Sequence, residues 1–173
     1  MGIFDIFKKR NNASVPDREK IKIEMYEKNI MGYRDAQDRR DKMESLFYPY
    51  RQEVDRIEAA WAVISNLKDY NGENAKALES VCLANVQRYI ELEDFRKQCG
   101  YDSDRYCPAY VRLAMLYEKQ KEYQKGIDIC VKAIRNGAYE DRTSGKMYGR
   151  LARMIKKSGI DVTDDIKKLT LLQ

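Results

Sequence analysis

Chemistry at a protein site needs residues that hold or move protons, electrons or metal ions, and this chain is poor in them. It contains no histidine at all, which removes the commonest general base and metal ligand. Its four cysteines are Cys82, Cys99, Cys107 and Cys130. Cys82 and Cys130 sit inside apolar helical patterns and read as small core residues. Cys99 and Cys107 bracket a nine-residue loop, but zinc needs four ligands in close pairs, and none exist here. The string Ser65-Asn66-Leu67-Lys68 has a Ser-x-x-Lys spacing without the companion motifs that make it catalytic. No Gly-rich phosphate loop or nucleophile elbow appears, and carboxylate pairs such as Asp164/Asp165 fall in the first turn of a helix, where they favour its dipole. The expectation is therefore no catalytic residue, no cofactor, no metal and no enzyme activity.

Charge is the stronger signal. The formal net charge is +5 over 173 residues. Between Arg112 and Lys157 twelve basic residues face five acidic ones, so that segment carries more than the whole excess. Arg142, Lys146, Arg150, Arg153 and Lys157 recur at 4-4-3-4 spacing. On a helix over about 141–157 they occupy a sector of roughly 80°, set apart from Met147, Leu151 and Met154. Such a stripe could grip an acidic peptide or phosphates; its plainer meaning is charge facing water.

The elements that would position these residues are helical. Nine glycines, three prolines and three threonines leave too little punctuation for a many-stranded sandwich or barrel. A helix is expected from about 16 to 48, capped by Ser14-Val15-Pro16-Asp17 and carrying Ile23, Tyr26, Ile30 and Tyr33 at 3-4-3 spacing. Gln37–Lys42 is polar all round, so no heptad seam runs unbroken through it, and Pro49 is expected to end or kink the helix near Tyr48. Val54, Ile57, Trp61, Ile64 and Leu67 mark a second helix over about 51–68, and Leu78, Val81, Cys82, Val86, Tyr89, Ile90 and Phe95 a third over about 73–97.

Residues 107–140 carry the most specific pattern. Pro108 opens a helix with Tyr110-x₂-Leu113-Ala114-x₂-Tyr117, followed by Gly126-x₃-Cys130 and Ala138. Small residues at Ala114, Gly126 and Ala133 let two antiparallel helices approach, with Leu113, Tyr117, Tyr123 and Ile127 between them. This resembles a tetratricopeptide repeat. Leu113 and Tyr117 match that signature outright, Tyr110, Ala114 and Gly126 conservatively, while Cys130 and Ala138 depart from it. The resemblance implies a peptide groove lined by the first helix, with Val111, Met115, Glu118 and Lys119 at the matching positions. Val111 and Met115 do not fit the carboxylate-clamp subclass, and both residue types also serve in cores. A further helix over about 141–157, with Met147, Leu151, Met154 and Ile155 inward, would cap the stack, and Thr163 would cap a short final helix carrying Ile166 and Leu169.

The fold expected is thus all-α: antiparallel helix pairs stacked as a short tetratricopeptide-like domain with a long N-terminal helix. Residues 1–13 form a flexible aromatic-basic tail, Ile3-Phe4-Ile6-Phe7 then Lys8-Lys9-Arg10, that could dock on a membrane surface or a protein; 14–173 form one helical domain. The function expected is non-catalytic binding of a protein or peptide, an acidic one among the candidates. A nucleic-acid-associated protein using the 142–157 face is the alternative, and a homodimer through the first helix is open. No run of eighteen apolar residues or secretory signal is present, so the cytoplasm is the expected compartment and no transmembrane segment is expected.

Overall fold

In the computed structural model the backbone is described over residues 15–171 and side chains over 20–171. The N-terminal tail and the expected cap Ser14 lie outside the described residues. Six helices follow one another among the described residues: α1 (Val15–Leu67), α2 (Glu73–Gln98), α3 (Pro108–Gln120), α4 (Tyr123–Arg135), α5 (Lys146–Ser158) and α6 (Asp164–Leu169). The protein is all-α and built of packed helix pairs. Contacts divide the chain at Lys42 into two units, Met1–Lys42 and Met43–Gln173. The boundary falls at the end of the polar stretch Gln37–Lys42, which offers no apolar surface to bury.

Pro49 neither ends nor replaces the first helix; α1 runs through it as one element. A proline inside a helix removes a hydrogen bond and costs about 3 kcal/mol. Burial on both sides of it offsets that cost. Tyr50, Val54, Ile57, Trp61 and Ile64 are buried at helical spacing, and Met43 and Leu46 pack on the same core. Full burial of each such side chain contributes roughly 1.5–3 kcal/mol. Asn85 of α2 reinforces the site, its Nδ2 donating to the Tyr50 carbonyl at 3.1 Å.

The second unit is a series of helices joined by short connections. Leu78, Cys82, Val86, Tyr89 and Leu92 form the buried face of α2. Only Lys121 and Glu122 separate α3 from α4, so these two are antiparallel neighbours. Lys121 makes the turn in the left-handed region at φ 63°. Lys68, Arg142 and Lys146 also adopt positive φ, so among the described residues each non-glycine residue in that conformation is basic. Between α2 and α3 the segment 99–107 is fastened from below. The buried Glu93 carboxylate accepts the Asp104 N–H at 3.0 Å, and Tyr89 Oη donates to the Asp104 carbonyl at 2.5 Å. A single parallel bridge pairs Tyr106 with Glu140, tying this segment to the one before α5.

Gly126 shows why a small residue stands on α4. A Cβ built there would lie 2.5 Å from the Met154 sulfur of α5 and 3.6 Å from the Tyr117 Cβ of α3. The space left by the missing side chain is filled by the third helix, not only by the partner in the hairpin. α6 starts after Thr163, which stands at the N-cap position without a side-chain capping hydrogen bond, and Ile166 and Leu169 are half-buried against the core.

Candidate functional site

α3 and α5 bring the two sets of sequence-predicted residues together. Glu118, expected at a peptide groove, instead meets the basic residues of α5. Its carboxylate accepts Arg153 Nε at 2.9 Å and Nη2 at 3.1 Å, and Lys157 Nζ at 2.8 Å, with Arg150 Nη1 at 3.7 Å. Burial works to raise the Glu118 pKa, but the hydrogen bonds and charges of Arg153 and Lys157 overcome it and hold the group down at about 2.

Arg150 does not face water. It is 8% exposed and pairs with Asp141, Nη2 to Oδ2 at 3.0 Å. On a helical wheel it stands only about 40° from Met154, so the stripe borders the core face rather than opposing it. Asp141 is positioned by its own loop, its Oδ1 accepting the Thr143 N–H at 2.9 Å and the Thr143 hydroxyl at 2.5 Å. A buried pair of this kind is stable only because each remaining polar atom also has a partner.

The other two cations are likewise engaged. α5 begins at Lys146, so Arg142 precedes the helix instead of lying on it. Its guanidinium sits 4.5 Å from the centre of the Tyr106 ring, a cation–π contact. Lys146 Nζ is 2.7 Å from Glu140 Oε1. Each of Arg142, Lys146, Arg150, Arg153 and Lys157 therefore has an intramolecular partner.

On α3, Val111 is 5% exposed and belongs to the core, so it does not line an open groove. Met115 is half-buried, its sulfur 3.4 Å from Arg112 Nη1. Lys119 is exposed, with Nζ 5.7 Å from the centre of the Tyr70 ring. Arg112 itself bridges to Glu58 of α1 and lies 5.4 Å above the Trp61 ring. Two tyrosine hydroxyls of α3 have partners. Asn136 Nδ2 donates to Tyr110 Oη at 2.7 Å, and Tyr117 Oη donates to Glu79 at 2.7 Å.

Three of the four thiols are core residues. Cys82, Cys107 and Cys130 are buried and Cys99 is half-buried; all four are free. Burial pushes the Cys107 and Cys130 thiols up to about 12 and raises Cys82 further, which leaves them as thiols rather than the nucleophilic thiolate. Among the described residues, no group of three or more Cys, Asp or Glu side chains is arranged to hold a metal ion. No described helix is long and apolar enough to cross a membrane.

An open apolar surface lies elsewhere, between α1 and α2. Ile57, Ala60 and Val63 face Ala77, Leu78 and Val81 across a groove of about 270 Å³, with Arg56 and Asn74 at its rim. Val63 and Val81 are exposed along it, and Leu67 continues the same line of α1. Sequence periodicity placed Leu67 and Val81 on core stripes; a stripe wider than its partner leaves the outer residues uncovered. Glu118 and Asp141 as ion-pair centres escaped the sequence, although Asp141-x-Thr143 is a readable local turn pattern.

The chain matches no family model. No curated protein and no solved structure matches it significantly.

Proposed function

We propose that the chain is a non-catalytic protein-binding module, an adaptor of tetratricopeptide-like helix pairs acting in the cytoplasm, that receives an amphipathic helix of a partner in the α1–α2 groove. The observation carrying this reading is the open apolar line of Val63, Leu67 and Val81 beside Ile57 and Leu78. Apolar surface so placed favours a partner that buries it. The nucleic-acid alternative needs cations available to phosphate, whereas Glu118, Asp141 and Glu140 already engage four of the five on the 142–157 face.

The test is retention of host proteins by the tagged full chain, with and without nuclease, beside a Val63→Asp/Val81→Asp variant. A discrete protein held at near-equal stoichiometry in both conditions, and lost in the variant, is the expected result. Material released by nuclease and indifferent to the variant would move the assignment to nucleic acid.

A further inference from the structure

The helix between Lys20 and Lys42 is covered by almost nothing. Every side chain there is exposed except Ile30 and Gln37, which are half-buried. Ile23 is 57% exposed, Tyr26 68% and Tyr33 74%. An uncovered helix of this length is marginal in water, because helices draw most of their stability from packing one face. The four residues Ile23, Tyr26, Ile30 and Tyr33 follow the 3-4-3 spacing of alternating a and d positions in a heptad, with Gln37 at the next a position.

We propose that Ile23, Tyr26, Ile30 and Tyr33 are the seam of a short parallel coiled coil with a second copy of this chain. β-Branched isoleucine at both a positions suits a parallel two-stranded pair. The flanking charges select the same partner and the same direction. In a parallel pair the residue at g meets the e residue five positions on in the other helix. Lys22 then faces Glu27 of the second copy, twice by symmetry, and Asn29 faces Arg34. Reversing one helix over the same seam sets Glu27 against Glu27 and Lys20 against Arg34, both repulsive. The seam ends where Arg40 occupies the next d position, so the pair is short and dissociates on dilution.

Sedimentation equilibrium of the full chain over a wide concentration range tests this. The mass is expected to rise from 20.4 kDa toward twice that value. Ile30→Asp should hold it at the monomer. Lys22→Glu should weaken association about tenfold, and Lys22→Glu/Glu27→Lys should restore it, consistent with the 1.4 kcal/mol that a factor of ten represents. Circular dichroism checks that the variants keep their helix content, and none of these residues belongs to the buried core. A monomer at every concentration, a dimer indifferent to Ile30→Asp, or failure of the double charge exchange to restore association would each overturn the proposal. Ordering of the helix only on anionic vesicles, with the protein monomeric, would assign the face to lipid instead. The Val63→Asp/Val81→Asp variant should dimerise normally, which separates this result from the partner-binding one.

Discussion

Glu118 and Arg153 stand 35 residues apart and meet side-on, two guanidinium nitrogens on two carboxylate oxygens at 2.9 and 3.1 Å. This pair joins the first helix of the α3–α4 hairpin to α5 and brings Lys157 and Arg150 to the same carboxylate. It makes the stripe of α5 an internal fastening before it is a surface. Glu118→Gln should lower stability by about 2 kcal/mol, between the values of exposed and buried pairs. The same change should increase retention on heparin, since the cations lose their partner. Urea titration reads the first effect and salt elution the second; retention unchanged alongside a loss of stability would show that the cations stay shielded.

The same carboxylate sets an acid limb. Its folded pKa lies near 2, below the ordinary carboxylate value near 4.5, so its contribution is present above about pH 4.5. Stability should fall as pH drops from there through about 2. In Glu118→Gln that part of the slope should disappear, and thermal melts between pH 2 and pH 6 measure it.

Gly126→Ala places a methyl group against the Met154 sulfur. Overpacking of this kind costs about 1–3 kcal/mol, against about 1 kcal/mol gained in helix propensity. A net loss of about 1 kcal/mol is expected, seen as a melting temperature lower by a few degrees. Met154→Ala in the same chain should make the second methyl harmless, so the two changes should not add.

Lys121 closes α3 with φ 63°, where a side chain is strained and glycine is not. Lys121→Gly should stabilise the protein by about 0.5 kcal/mol. Denaturant midpoints of the two chains decide it, with an unchanged or lower midpoint counting against strain at that turn.

Thiol chemistry should follow burial. In the folded protein a disulfide reagent should modify Cys99 first, because Cys82, Cys107 and Cys130 are fully buried and held protonated. In urea all four should react. Rapid native modification of a second thiol would contradict the packing around it.

Much of the architecture was readable from spacing. Ile57, Trp61 and Ile64, or Leu113, Ala114 and Tyr117, recur at a helical period and are buried where that period puts them. Pro49 was misleading as a helix end because its cost is outweighed by the summed burial of Tyr50, Val54, Ile57, Trp61 and Ile64 on its far side. The candidate site was harder. Charge at helical spacing looks the same whether it meets water or a carboxylate, and only the folding of the Asp141 loop onto α5, with Glu118 of α3 nearby, tells Arg150 apart from an exposed arginine. Val111 failed as a groove residue for the related reason that a helix with neighbours on two sides has little face left over.

The basic residues in left-handed turns have a consequence for how the chain comes apart. Lys68, Lys121 and Arg142 are exposed and stand beside helix ends, not within helices. Trypsin cleaves after lysine and arginine and needs a bond it can draw out of regular structure. Among the helices after Tyr50, brief digestion should therefore cut at these joints, freeing the α4 segment from α3 on one side and from α5 on the other, so that these bands mark boundaries between packed helices.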